Sequence, residues 1–389
     1  MVNKQQYVFS SVILVLIAVW SSEAQDLKTP WLVHTNIYSI NGLEMDTWNS
    51  HTVIDSRPFQ HIRPSSVDYH FTQGYLYWTD RYRQYRIARA NLSNTADRED
   101  LVTNSRSKAD GIAVDWIYNH IYWIDTEHQH IKMADLDGSL RKTLIDKDLV
   151  LPRAIAVHPN AGWLFFTDVS NPRIIRCGLD GSDRQTIVSS KTTNISEPNG
   201  LSIDFSSNRL YWIDNFYNHI RSSHLNGSDI ILLATSPEYM PLAQGLIVFK
   251  DWIYCTSSTN NSIYRVNKEN GTNFEVVKSD LRTPLGIKIY SQENQPTAIG
   301  DNVCGKTNGS CEQLCLQSPQ STIKCACADG FKLNNDSKSC LDIGSGNWLT
   351  FSSYRKIERI DVETRVIENI ATGNMYANGL DIQYTSPLL

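Results

Sequence analysis

Past its first two dozen residues the sequence has no apolar run long enough to cross a bilayer. It also has no strong excess of one charge. Its 36 Lys and Arg against 41 Asp and Glu leave a formal net charge of −5, which argues against nucleic acid as the main partner. Neither Gly-x-Ser-x-Gly nor His-Glu-x-x-His occurs, so two common signs of a hydrolytic centre are missing. Cysteine is almost absent before residue 304, where only Cys177 and Cys255 stand. What the start does have is Lys4, an almost wholly apolar stretch at residues 12–20, and Ser22-Glu23-Ala24 ahead of Gln25. That is the layout of a secretory signal peptide over residues 1–24.

The most informative feature is a repeat. An apolar-aromatic-aromatic-small-Asp signature, or a worn copy, returns every 43 to 46 residues. The copies are Leu76-Tyr77-Trp78-Thr79-Asp80, Ile121-Tyr122-Trp123-Ile124-Asp125, Leu164-Phe165-Phe166-Thr167-Asp168, Leu210-Tyr211-Trp212-Ile213-Asp214 and Ile253-Tyr254-Cys255-Thr256-Ser257. A short alternating run precedes each, such as Gly111-Ile112-Ala113-Val114-Asp115. A further strand follows at a nearly fixed spacing, then a turn such as Leu136-Asp137-Gly138 or Leu225-Asn226-Gly227, then a last short strand. The Asp-Gly and Asn-Gly pairs predict type I′ hairpin turns. Four short strands at this period describe a propeller blade.

Two fragments complete the ring. Leu285-Gly286-Ile287-Lys288-Ile289 is an inner strand with no signature after it. Trp31-Leu32-Val33-His34, Tyr38-Ser39-Ile40-Asn41-Gly42 and Thr52-Val53-Ile54 read as the second, third and fourth strands of a unit with no first. Together they make one blade. The expected fold is therefore an all-β propeller of six blades over residues 30–292, closed by its two ends, with no sheet edge left open by the ring. The aromatic pairs are expected to wedge between blades. The signature carboxylates, one per blade, are expected to fix turns rather than to catalyse.

Six cysteines fall within 37 residues: Cys304, Cys311, Cys315, Cys325, Cys327 and Cys340. No histidine lies near them, so a disulfide-built module at residues 300–341 is expected rather than a zinc site. Spacing alone leaves fifteen pairings open. Cys177 and Cys255 lie on blades two apart and are expected to be separate buried thiols. Asn-x-Ser/Thr sequons mark Asn91, Asn194, Asn226, Asn260, Asn270, Asn308 and Asn335 as candidate glycosylation sites.

Tyr-Trp-Thr-Asp units in sixes, followed at once by a Cys-x6-Cys-x3-Cys-x9-Cys-x1-Cys-x12-Cys module, resemble the low-density lipoprotein receptor and its receptor-related family. The module is similar to an EGF-like domain. That resemblance implies the pairs Cys304–Cys315, Cys311–Cys325 and Cys327–Cys340, without calcium, because no Glu precedes the first cysteine. Residues 346–389 look like the same family restarting. Trp348-Leu349 echoes Trp31-Leu32, and Gly379-Leu380-Asp381-Ile382 reads as a new inner strand. They are expected to be the truncated first blade of a second propeller.

The resemblance implies a receptor ectodomain of the secretory pathway, extracellular or at the cell surface. It would be soluble as given, with membrane attachment only through a C-terminal anchor missing from this sequence. Its partners would be extracellular protein ligands: lipoprotein, vitellogenin-like or Wnt-pathway proteins. The domain order is similar to the Wnt co-receptor branch, and the blade text to the endocytic branch, although Asn171-Pro172 does not continue as an Asn-Pro-x-Tyr internalisation signal. A secreted decoy is the alternative.

Two loop sets should share one face. The loops entering the inner strands would present Asp110, Arg153, Asn199 and Gln244 at the channel mouth. The loops after the signature would present Arg81, Tyr82, Arg83 and Tyr85, then Glu127, His128 and His130, then Phe216, Tyr217 and His219. Aromatics, arginines and amides on loops of a rigid scaffold suit protein recognition. The rival reading is a propeller hydrolase with a central metal. It would need several carboxylates at the mouth, and only Asp110 is there. No cofactor, metal or catalytic residue is therefore expected.

Overall fold

The computed structural model describes residues 30–55, 62–81, 85–103, 108–300, 302–305, 307–319 and 322–343, and the backbone of three later strands. The candidate signal peptide, Tyr82, Arg83 and the candidate strand at residues 379–382 lie outside them.

Six four-stranded antiparallel sheets form a ring of blades. Blade 1 takes its inner strand, Ile287–Tyr290, from the end of the ring and its other three, Trp31–Thr35, Ser39–Glu44 and Ser50–Asp55, from the beginning. The joint runs from Trp31 opposite Tyr290 to His34 opposite Ile287. Blades 2 to 6 begin with the inner strands Pro64–His70, Ala109–Asp115, Pro152–His158, Pro198–Asp204 and Ala243–Phe249. Closure by the two ends is thus as the fragments predict.

Side chains alternate along a strand, and the signature exploits this. Its first aromatic faces the following blade and its second the preceding one. Tyr122 packs with Val157, Leu164 and Phe166 of blade 4, while its neighbour Trp123 packs with Tyr77 and Ile87 of blade 2. Phe165 and Trp212 share the next junction, and Tyr211 and Cys255 the one after. Trp78, Trp123 and Trp212 are at most 2% exposed. Each ring removes ~150–250 Å² from water, a gross gain of roughly 4–6 kcal/mol before entropy.

The turns between third and fourth strands differ from expectation. They are not two-residue type I′ turns. Asp137, Asp180, Asn226 and Asn270 keep negative φ; the following glycine adopts positive φ, +80° at Gly138 and +82° at Gly227, as does a residue two further on, such as Leu140 and Asp229. The glycine closes a turn onto the third strand, as in Gly138 N–H to Asp135 O at 2.9 Å. A Cβ on Gly227 would also overlap the Ile187 carbonyl of the preceding blade. Glycine is required there by conformation and by close approach.

Three disulfides, Cys304–Cys315, Cys311–Cys325 and Cys327–Cys340, build the module. It sits on the underside of blades 3 and 4. Leu314 and Leu316 enter the core between those blades. Asp329 accepts from Thr143 N–H at 3.0 Å and from its hydroxyl at 2.8 Å, and Asp180 meets Ser318 Oγ at 2.6 Å and Lys324 Nζ at 2.9 Å. The linker is pinned too, with Trp116 Nε1 donating to Pro296 O at 2.8 Å. Beyond the module, Trp348–Ser353, Lys356–Asp361 and Ile367–Thr372 form a separate three-stranded sheet. Cys177 and Cys255 are free and buried.

His34, on the closing strand of blade 1, is fully buried, and no hydrogen bond reaches its ring nitrogens among the described residues. Burial pulls its pKa down to about 4. The unfolded chain takes up this proton near pH 6.5 and the folded chain only near 4, so the site's stabilising contribution is lost as pH falls across that window. His34→Leu should therefore lose less stability than the parent between pH 7 and pH 4, by about 3 kcal/mol at the lower end. Urea unfolding at the two pH values checks this.

Candidate ligand-binding face

The channel mouth is made by one repeated irregularity. In each inner strand of blades 2 to 6 the pairing slips after its first residue: between Pro64 and Val67, Ala109 and Ile112, Pro152 and Ile155, Pro198 and Leu201, and Ala243 and Leu246. Such bulges re-aim side chains. Here they leave Ser65, Asp110, Arg153, Asn199 and Gln244 around an open mouth of about 650 Å³, with Leu285 of blade 1 completing the ring. The second bulge residue must be small. A Cβ on Gly111 would lie 2.6 Å from Arg153 O, and one on Gly245 2.6 Å from Leu285 O.

The signature threonine locks the bulge. Thr79 Oγ1 accepts from Ser66 N–H at 3.1 Å and donates to Asp110 O of the next blade at 2.8 Å. Thr256 does the same with Gly245 N–H and Leu285 O. Thr35 fills this role in blade 1, linking Gly286 N–H and Ser65 O.

The signature aspartates bind the two loop sets together. Asp214 is fully buried. Its Oδ2 accepts from Ser196 and Glu197 N–H at 2.7 and 3.2 Å, and its Oδ1 from Phe216 and Tyr217 N–H at 3.1 and 3.2 Å. Asp168 accepts from Leu151 N–H at 2.8 Å and pairs with Arg173 at 3.1 Å. A backbone bond repeats alongside: Arg81 N–H to Arg63 O, Thr126 to Lys108, Val169 to Leu151, and Asn215 to Glu197, at 2.9–3.0 Å. Both loop sets therefore lie on one face, as the sequence predicts.

Charge on this face is largely paired. Arg81 and Arg153 converge on Asp110, Arg153 at 3.5 Å, and Ser65 Oγ donates to the same carboxylate at 3.2 Å. Glu127 pairs with Lys108 at 2.8 Å, both half-exposed, an ion pair worth little in stability. His128 Nδ1 lies 2.8 Å from buried Asp125. Burial first, then Lys132 and Arg221 respectively, lower the pKa of His130 and His219. Both rings are thus harder to protonate than a free imidazole. On blade 5, Phe216 stands edge-on to Tyr217 at 4.9 Å, and Tyr217 stacks on His219 at 5.4 Å.

The candidate residues fall into sectors. Asp110, Arg153, Asn199, Gln244 and Arg81 line the mouth. Glu127, His128 and His130 belong to the rim of blade 3, and Phe216, Tyr217 and His219 to that of blade 5, with loop 169–172 of blade 4 between them. Sequence reasoning missed Ser65, Leu285 and Lys288, though aligning the inner strands puts Ser65 and Leu285 in register with Asp110. It also missed the exposed apolar residues of the face: Tyr38 at 44%, Val150 at 48% and Leu242 at 54% exposure, joining Phe216 at 62%. Among the described residues no group of three or more His, Cys, Asp or Glu could hold a metal ion.

The family model described as low-density lipoprotein receptor repeat class B matches residues 74–116, 119–159 and 162–205. Residues 74–205, which hold most of blade 2, blades 3 and 4 and the inner strand of blade 5, carry these class B repeats. The family described as Coagulation Factor Xa inhibitory site matches residues 304–340, the disulfide module. Over 271 residues, 69% of this chain, the sequence is 29% identical to the vitellogenin receptor Yl of Drosophila melanogaster. The match spans only 13% of that protein's length. A chain in the crystal structure of a nidogen/laminin complex superposes with a TM-score of 0.60 at 22% identity, covering 67% of this chain and 98% of that one. At that identity the likeness speaks for the fold alone. A gluconolactonase from Xanthomonas campestris gives a TM-score of 0.47 at 18% identity over 59% of this chain and 84% of that one, and carries no argument.

Proposed function

We propose that the chain is an extracellular ligand-binding region of a low-density lipoprotein receptor-related receptor. It takes a protein ligand on the bulge-bearing face, for endocytosis or signalling. The observation that carries this is the ring of polar side chains at the mouth, bordered by the exposed Tyr38, Val150, Phe216 and Leu242. Polar specificity groups beside apolar anchors are what protein hot spots need. Three disulfides suit an oxidising compartment. The similarity to a vitellogenin receptor favours the endocytic branch over a Wnt co-receptor, and makes a vitellogenin-like protein the first ligand to try.

The test is direct binding of purified vitellogenin to the immobilised full chain. Phe216→Ala and Arg153→Glu should each weaken binding by about 30-fold, the scale of losing one hot spot, with unfolding midpoints unchanged. Equal affinity for parent and variants would rule out this face.

A further inference from the structure

The turn between third and fourth strands has one hydrogen-bond plan in five blades. A side-chain Oδ1 accepts from both the N–H and the hydroxyl of the Ser or Thr two residues on. In blade 2 the same bond is made two positions earlier, between Asn91 at the end of the third strand and Ser93 in a two-residue loop, at 2.9 and 2.6 Å. In blade 5 it is Asn226 with Ser228, at 3.0 and 2.7 Å, and in blade 6 Asn270 with Thr272, at the same two distances. Blades 3 and 4 build the identical turn from Asp137 with Ser139 and Asp180 with Ser182. Asn-x-Ser/Thr and Asp-x-Ser are thus interchangeable for the turn itself. They are not interchangeable for chemistry, because only the amide can accept an N-linked glycan.

The choice between them follows the seat of the disulfide module. Asp180 is held by Ser318 and Lys324 of that module. The Asp137 turn leads directly into Arg141, Lys142 and Thr143, which bind Asp329 and the Cys327 carbonyl. In blades 2, 5 and 6, which the module does not reach, the turn carries Asn; the blade 1 turn, Glu44 to Asn49, is built differently. Asn226 and Asn270 are exposed, and their Nδ2 atoms make no hydrogen bond among the described residues. Asn91 Nδ2 has one long contact, 3.3 Å to Gln73 O. The other sequons divide differently. Asn260 Nδ2 is held by Glu238 O at 2.7 Å and Tyr264 Oη at 3.1 Å, and Asn308 Nδ2 by Gln313 O at 2.6 Å.

From this pattern we infer that the underside of the propeller is partitioned: N-glycans at Asn226, Asn270 and Asn91 cover blades 5, 6 and 2, and the module covers blades 3 and 4. The transfer joins Nδ2 to the anomeric carbon of a lipid-pyrophosphate-linked oligosaccharide. The anomeric C–O bond breaks, the lipid pyrophosphate leaves, and one amide proton is lost. Such a belt keeps partners off the underside of blades 2, 5 and 6.

The inference rests on passage through the secretory pathway. The full chain is expressed in secreting eukaryotic cells and deglycosylated enzymatically in heavy-oxygen water, and each sequon is then read by peptide mass spectrometry. Asn226 and Asn270 should be mostly converted, Asn91 less so, and Asn260 and Asn308 scarcely. Bare Asn226 and Asn270 with modified Asn335 would overturn the partition but keep the compartment. No modification anywhere would overturn both.

A second arm tests the exclusion. Asp180→Asn completes a sequon under the module, so its glycan should block docking and open the linker at residues 294–300 to protease at least tenfold faster. Asp180→Asn with Ser182→Ala lacks the sequon but loses the same carboxylate, so it should be cleaved several-fold more slowly than the glycosylated variant. Equal cleavage of the two variants, with the first fully glycosylated, would contradict the partition.

Discussion

Replacing Trp212 by alanine should lower the free energy of unfolding by about 3–5 kcal/mol. The indole is fully buried between blades 4 and 5, against Phe165, Ile174, Leu201 and Leu210. It is the second aromatic of its signature, so it faces backward. The junction is held between two closed sheets and cannot collapse onto the gap, which sets the cost toward the upper end. The natural exception supports the reasoning. Cys255 occupies the same position in blade 6, and that junction is filled instead by Tyr211, Met240 and Tyr264. Urea unfolding of the parent and Trp212→Ala, followed by tryptophan fluorescence, gives the difference. A loss under 1 kcal/mol would mean that the rings do not set the blade spacing.

Asp214→Ala should cost a similar amount for a different reason. Its two oxygens receive four backbone N–H groups from two loops. Removing the carboxylate leaves those donors without an acceptor, at roughly 1–3 kcal/mol for each that stays dry. Some will find water at the rim, so the expected total is about 3–5 kcal/mol. Asp214→Asn retains one acceptor oxygen and turns an amide N–H₂ against the other pair of donors. It should recover less than half the loss. Both variants should also expose the loops 195–197 and 215–218 to protease, because the carboxylate is what ties them together. Unchanged loop cleavage in a destabilised Asp214→Ala protein would count against that role.

The ring was readable because its physics is periodic. Tyr122 and Trp123 sit next to one another in sequence and must face opposite sides of a strand, so a repeating pair predicts a repeating interface. The leftover strand at Ile287 and the unpaired start at Trp31 predicted the closure by subtraction. The mouth was half readable. Asp110, Arg153, Asn199 and Gln244 each stand directly before the small residue that opens an inner-strand run, Gly111, Ala154, Gly200 and Gly245, so one loop set could be aligned. The bulge itself was not, because an extra residue shows only in cross-strand register. Ser65 and Leu285 stayed hidden because a small hydroxyl and an aliphatic residue carry no chemical flag.

Contacts between distant residues were the least legible. Arg81 and Arg153 meet on Asp110 only because the ring curves. The meeting of Asp180 with Ser318 and Lys324, across 138 and 144 residues, has no local signature. The type I′ expectation failed for a related reason. Asp-Gly and Asn-Gly favour that turn in an isolated hairpin. Here the glycine must also fit under the carbonyl of the neighbouring blade's outer strand, and the longer turn satisfies both.

The central claim is that the bulge-bearing face is the one that recognises protein. Hydrogen exchange of the full chain, alone and with saturating vitellogenin, tests it most directly. The account predicts slowed exchange in the loops at residues 150–153, 196–200, 215–219 and 241–245, with the underside turns at Asn226 and Asn270 unchanged. Protection confined to the underside or to the disulfide module, with the face exchanging as in the free chain, would contradict it.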